Sequence, residues 1–412
     1  MITLPKSVYV IRSLLIALAF LPILSHAQDD PPKNWQLTGY LKDMQTLLFF
    51  NGSYPAIQNG SFALVDTFLL DNLVHNRLNF RWYISDQFTF RAELRTRIFY
   101  GDLVKASPDF AGLVDNVNND YFDLSLVLLD ENAAVIHSML DRLSLQWVKG
   151  DWEVTAGRQR INWGISSVWN PNDIFNAFSF TDFDYEERPG SDALRIRRYT
   201  GFSSSIELAS RFFTDFDEAV IAGKYQFNQW TYDIQLLGGY AREDLVFGLG
   251  FAGNLGDAGL KGEATYFLAL PDSLYEHNGK PARDAFAATL GLDYTFARGY
   301  YLNLGYLYNS MGSTNTNIAR LFAFELSAKN LYPYRHAIFL QGTKQITPLL
   351  FAGLALIYSP VEVHGLFLNP TLTYNVATNW DLDLIGQFGF DRENRRYRSP
   401  IQSVFFRIKW SF

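Results

Sequence analysis

Residues 88–98 read Phe88-Thr89-Phe90-Arg91-Ala92-Glu93-Leu94-Arg95-Thr96-Arg97-Ile98, and this stretch decides the fold. Phe88, Phe90, Ala92, Leu94 and Ile98 share one parity, whereas Thr89, Arg91, Glu93, Arg95 and Arg97 share the other. Side chains alternate across a strand, so the stretch is a ribbon with one greasy face and one charged face. Its partner precedes it across Ser85-Asp86, with Leu78, Phe80, Trp82 and Ile84 set against Arg77, Asn79 and Arg81. The pair reads as a hairpin.

The same two-residue period recurs almost to the end of the chain. Trp230, Tyr232, Ile234 and Leu236 alternate with Thr231, Asp233 and Gln235, and Leu366, Leu368, Leu372 and Tyr374 turn at Ala377-Thr378-Asn379 into Trp380, Leu382, Leu384 and Phe388. Tight turns are expected near residues 85, 150, 201, 228, 257, 298, 347 and 378. Longer polar connections are expected at 51–69, 101–136, 163–191, 241–245, 269–285, 310–334, 359–364 and 391–400. Short turns alternating with long loops over about 18 strands (roughly 16–18) predict an all-β fold, a transmembrane antiparallel β-barrel. So wide a cylinder cannot fill its interior with side chains, so the greasy face meets lipid and the charged face meets water. This reconciles 48% hydrophobic and 16% aromatic residues with a mean hydropathy near zero. Aromatics near strand ends, among them Tyr83, Trp152, Tyr300 and Trp380, suit interfacial girdles. A soluble sandwich or propeller would need shorter strands and fewer exposed aromatics.

The ends of the chain agree. Lys6 and Arg12 precede an apolar run from Ser13 to Leu24, and Ser25-His26-Ala27 gives a small-x-small site, so residues 1–27 read as a signal peptide. A short leader, 28–34, precedes a barrel over 35–412 and leaves no room for an N-terminal plug. Val404, Phe406, Ile408, Trp410 and Phe412 alternate with Phe405, Arg407, Lys409 and Ser411, a terminal strand of the kind that barrel-assembly machinery recognises through its last Phe412. Outer-membrane lipid and lipopolysaccharide are the expected surroundings, and Arg392, Arg395, Arg396 and Arg398 on one outside loop suit lipopolysaccharide phosphates. The net charge of −7, deeper once Lys6 and Arg12 are removed, gives no case for nucleic acid. Zero Cys excludes a disulfide scaffold.

The polar face of the first hairpin is basic: Arg77, Arg81, Arg91, Arg95 and Arg97 against Glu93. Closing it at Ser85-Asp86 leaves two registers. In one, Arg77 faces Glu93; in the other, Arg77 faces Arg95 and Arg81 faces Arg91, a repulsive ladder that needs a loop carboxylate or a bound anion. Rings of Arg set anion preference in pores. Arg407 and Lys409 should stand near this wall, partly paired with Asp381 and Asp383, while Asp233, Glu263 and Asp293 would form an opposing acidic side. Asp182, Asp184, Glu186 and Glu187 have oxygen ligands but no fixed calcium-loop geometry, so no metal or other cofactor is expected. His75 falls on the lumenal parity without a Ser or Asp partner, so no catalytic set and no enzyme is read.

The most distinctive stretch is Gly157-Arg158-Gln159-Arg160-Ile161-Asn162-Trp163-Gly164, followed by Trp169-Asn170-Pro171-Asn172-Asp173-Ile174-Phe175-Asn176 and then Arg195 and Arg197. Strict alternation sends Arg158 toward lipid, so it either sits at the outer rim or is turned inward by a bulge at Gly157, the favoured reading. Over about residues 137–200 these short motifs resemble the alginate-export type of outer-membrane barrel and its porin-like relatives. The resemblance implies an Arg-lined constriction for an acidic polysaccharide, with Arg158, Arg160, Arg195 and Arg197 beside Arg77, Arg91 and Arg95. The expected function is a porin-like channel passing or exporting anionic small molecules or acidic saccharides, with loop 163–191 folded inward. The alternative is a loop-plugged barrel acting in interaction or assembly.

Overall fold

A computed structural model describes residues 34–58, 61–116, 120–177, 188, 190–270, 283–316, 318, 321, 324, 326–393 and 395–412, with the side chains of 52–67 and 393 outside it. The proposed signal peptide and the acidic positions 182–187 lie outside the described residues. The wall begins with β1 (Trp35–Gln58), β2 (Ser61–Tyr83) and β3 (Phe88–Gly101). Two short helices, α1 (Asp102–Ala106) and α2 (Phe110–Asn116), lead to β4 (Ser125–Glu131), β5 (Ala134–Lys149) and β6 (Trp152–Gln159). The rest is strand and loop: β7 (Ser191–Gly201), β8 (Ser204–Arg211), β9 (Val220–Gln229), β10 (Tyr232–Ala241), β11 (Asp244–Leu255), β12 (Ala258–Ala269) and β13 (Ala285–Phe296). Then come β14 (Tyr300–Asn309), β15 (His336–Thr347), β16 (Leu350–Tyr358), β17 (Leu366–Ala377), β18 (Trp380–Glu393) and β19 (Arg396–Ser411).

Every neighbouring pair is antiparallel, and β19 returns to β1, so the wall closes on itself. Gly39 and Phe412 exchange two backbone hydrogen bonds of 2.9 Å at the seam. A Cβ on Gly39 would run into the backbone carbonyl oxygen of Arg77 on β2 and sit 2.8 Å from the Phe412 ring, which is why the seam takes glycine there. Of nineteen strands, eighteen make the wall. The extra one, β4, pairs only with the outer half of β5, on the edge that β6 abandons when the chain turns inward at Gln159.

Tight turns stand at every predicted position, for example Gly150-Asp151, Gly256-Asp257 and Thr378-Asn379. Three expected loops are shorter than read: 51–69 continues the β1–β2 ladder from Tyr54↔Val65 to Gln58↔Ser61 after a shift in register, 391–400 is mostly strand out to Glu393↔Arg396, and 241–245 is a two-residue turn closed by Ala241↔Asp244. Each added pair extends a ladder already in register, and Tyr54, Ile57, Phe62 and Val65 favour strands despite the Gly and Pro around them. Outward positions such as Leu208, Leu249, Leu290, Leu304, Leu354 and Leu384 are exposed, while Glu207, Gln235, Thr265, Asn303 and Asn369 line the buried inner face. Burial of apolar surface is therefore inverted, as lipid demands of a spanning barrel. Trp35, Trp82, Trp152, Trp230, Phe296 and Tyr300, all exposed, gather at the tight-turn end. The protein is a closed antiparallel β-barrel of the kind that spans the Gram-negative outer membrane.

Candidate functional site: an arginine wall facing a docked loop

The first hairpin adopts the repulsive register: Arg77 stands opposite Arg95, and Arg81 opposite Arg91. What settles it is a carboxylate from the wall itself. A bulge in β5 places Asp141 between the facing guanidinium groups, 2.6 Å from Arg77 and 3.7 Å from both Arg95 and Arg142. Arg77 also binds Glu93 at 2.5 Å. Arg77, Arg95 and Asp141 are almost wholly buried, so this cluster is a charged core of the wall and not a free solute track.

The segment after β6 enters the barrel and docks on the opposite wall. Ile161, Trp163, Ile174 and Phe175 pack with Ala209, Ala222, Leu237, Val246 and Phe267 from the inner faces of β8–β12. Farther on, Val168 and Trp169 join Leu307, Phe339, Ile357 and Phe367 together with Leu331, Tyr332 and Tyr334 of the 310–334 connection. Polar pins fix the register. Glu263 accepts the N–H groups of Ile165, Ser166 and Asn172, and Glu207 accepts the Trp163 indole at 2.6 Å. Asn172 donates to the Leu249 carbonyl at 3.1 Å and accepts from Thr265 at 2.7 Å. Gly248 and Gly250 leave the room: a Cβ on either would lie within 3 Å of Asn172. Thus the Trp-Gly and Asn-Pro-Asn-Asp motifs hold a loop against a wall. The acidic side expected from Glu263, Asp233 and Asp293 is spent, since Glu263 holds backbone amides, Asp293 meets Lys261 at 3.4 Å and Asp233 meets Asn228 at 2.9 Å.

The nine arginines proposed as pore-lining therefore divide. Arg195 pairs with Glu153 at 2.5 Å and Arg197 bonds Glu207 at 2.6 Å. Arg97 reaches His137 at 3.2 Å, and Arg81 stands by the Tyr83 hydroxyl at 3.5 Å. Arg158 corrects the sequence reading. No register shift occurs at Gly157, so Arg158 stays on the lipid-facing parity opposite Leu143. It is tolerated there because Asp192 holds it at 2.7 and 2.9 Å and the Phe122 carbonyl caps it. Arg91 and Arg160 open instead onto a recess of about 140 Å³, lined with them by Arg142, Arg195, Glu93, Ser144, Gln146, Thr155 and Gln159. Four guanidinium groups and one carboxylate line this recess, with Glu153 holding Arg195 and Asp141 near Arg142 from behind, so its lining is basic. Arg142 and Asp141 carried no signal in the pattern, because a bulge appears only when two strands are paired.

Titration adds a response at the loop's root. Burial pushes Arg188 down to about 10, helped by the neighbouring Arg160. Asp173, fully buried beneath the loop, is raised by burial from the ordinary 3.8 to about 7, against the pull of Arg160 and with the repulsion of Glu263. The docked loop thus holds a proton that the released loop gives up above pH 4. Docking is firmest in acid and weakens as pH rises through about 7, by a few kcal/mol in the limit. Channel noise in planar bilayers should therefore rise between pH 5.5 and 8 in the native chain and stay flat in Asp173→Asn; equal pH profiles would refute this coupling.

No protein-family model and no curated protein matches the sequence, so the alginate-export resemblance rests on its motifs alone. Solved structures do match the fold. The chain is similar to Acinetobacter baumannii OccAB4 (TM-score 0.55, 10% identity, 93% of this chain and 100% of that one). It is also similar to Pseudomonas aeruginosa OccK11, or OpdR (TM-score 0.54, 9% identity, 92% and 96%). A third is Pseudomonas aeruginosa OpdK, solved with vanillate (TM-score 0.52, 9% identity, 92% and 98%). All three are similar along nearly their whole length, and what they share with this chain is the porin-type barrel.

Proposed function

We propose that this protein is a passive outer-membrane channel for anionic solutes, carboxylates and acidic saccharides among them. The observation that carries the reading is the arginine recess formed by Arg91, Arg142, Arg160 and Arg195 across from the docked loop. Solute carboxylates would exchange hydration for charge-assisted bonds to these groups and leave readily, because Glu93 and Glu153 compete for the same donors. Vanillate, the carboxylate in the OpdK structure, is of the class this recess suits. The exposed Arg392, Arg395, Arg396 and Arg398 would meet lipopolysaccharide phosphates, and the strand ending at Phe412 would present the chain to the assembly machinery.

The test is reversal potential in planar bilayers under a KCl gradient. The native chain should prefer chloride, and Arg91→Ala with Arg160→Ala should cut that preference by roughly twofold or more. These two, not the buried Arg77 or Arg95, are the informative sites. Cation preference would overturn the anion reading, and stable insertion without conductance would overturn the channel in favour of a loop-plugged barrel.

A further inference from the structure

Polar side chains enter the lipid-facing rows in two sectors; on β6–β8 they are Arg158, Asp192 and Ser210, with Arg158 and Asp192 buried against each other. Around β9–β18 the outward positions between the rims carry only aliphatic residues, aromatics, Gly and Pro, with Gln229, His336, Lys344 and Arg392 at the strand ends. On β1, β2, β3 and β5 the same outward rows carry Asp43, Gln45, Asn72, Asn76, Thr96 and Ser138. Their outward parity follows from register. Asn76 lies opposite Leu41 and Thr96, Asn72 opposite Gln45 and Tyr100, and Thr96 opposite Ser138. Leu37 and Phe80 are paired on the turn side of these rows, and Leu47 with Leu70 and Phe49 with Phe68 on the loop side. The polar group therefore sits inside the apolar band and not at a headgroup rim.

Some of these groups are served within the wall. Thr96 and Ser138 share a hydrogen bond of 2.9 Å, and the Asn76 and Asn72 amides reach the Tyr40 and Tyr100 carbonyls at 3.4 and 3.5 Å. The oxygens of those two carboxamides and the whole side chain of Gln45 have no hydrogen bond among the described residues. Hydrocarbon offers nothing in return, so such groups are retained where another protein surface meets them.

We infer that this sector is an interface between copies of this chain in the membrane. The chemistry selects the occupant. Carboxamides and hydroxyls both donate and accept, so a patch built from them complements an identical patch, which is what a two-fold contact between copies requires. A lipid phosphate would need cations, and these rows carry none.

The absence of Cys makes the test direct. Gln45→Cys and Asn72→Cys, each single, are treated with a short bismaleimide in intact outer membranes, with Leu304→Cys on β14 as the comparator. Cross-linked species at multiples of the chain mass, roughly fivefold or more above the comparator, are expected. The triple variant Gln45→Leu, Asn72→Leu, Asn76→Leu should lose the oligomer on native gels while each barrel keeps its conductance. Equal cross-linking at Leu304→Cys, adducts of any other mass, or an oligomer that survives the triple variant would overturn the inference. Because conductance is read separately, failure here is distinguishable from failure of the channel reading.

Discussion

Glu263→Gln should release the inward loop and raise single-channel conductance about twofold or more, with new slow gating noise. The carboxylate accepts three loop N–H groups, from Ile165, Ser166 and Asn172, in a site closed to water. A carboxamide keeps one acceptor oxygen and turns an N–H₂ toward donors, so about 2–4 kcal/mol of docking is lost. The barrel ladder does not depend on this residue, so the variant should still migrate as a heat-modifiable folded species on gels. Unchanged conductance in a folded variant would mean that the loop is held by its apolar contacts alone. Trp163 and Phe175 would then carry the docking.

Asp141→Asn should have the largest effect on folding. Its carboxylate is the shared counter-ion of Arg77, Arg95 and Arg142, and its removal leaves facing cations in a buried wall. Breaking a buried ion cluster by removing one partner costs about 3–5 kcal/mol. The urea midpoint for unfolding from detergent should drop, and the heat-modifiable fraction should fall with it. Adding Arg95→Met should recover much of the loss, since an apolar side chain of similar length can lie against Met139, which Arg95 now contacts. A double variant no better than the single one would place the role of Asp141 in the bulge backbone instead of its charge.

Strand positions and turns were legible because both are local. The parity of Phe88–Ile98 and the Ala377-Thr378-Asn379 turn need no partner to be read, and the wall follows from their repetition. Register was harder: the basic hairpin left two pairings open, and the one adopted depends on Asp141, some fifty residues onward in the chain. Arg158 was misjudged because its neutralisation comes from Asp192 and from Phe122, which no alternation pattern connects. The motifs around Trp163 and Asn172 were visible, yet their role was hidden until Gly248, Gly250 and Glu263 were seen beneath them. Arginine content alone therefore overstated the site, because most of these side chains found carboxylates during closure.

The borrowed strand β4 has a consequence for motion. Elsewhere the wall is an unbroken backbone ladder, whose amides exchange with solvent only when whole strands separate. Beside β7 the outer part of the wall is instead tied by side chains. Asp120 accepts the Asp192 N–H at 2.7 Å and Asp192 accepts the Phe122 N–H at 2.8 Å, with Arg158 and Arg211 clamping the two carboxylates. These ion pairs are mostly buried, so salt screens them little, but side-chain ties lack the cooperativity of a continuous ladder. Local opening should begin at this sector, so amide deuteration of residues 120–131 and 191–193 would run ahead of the remaining barrel. The same chain turn that brings the loop inside thus sets where the cylinder breathes.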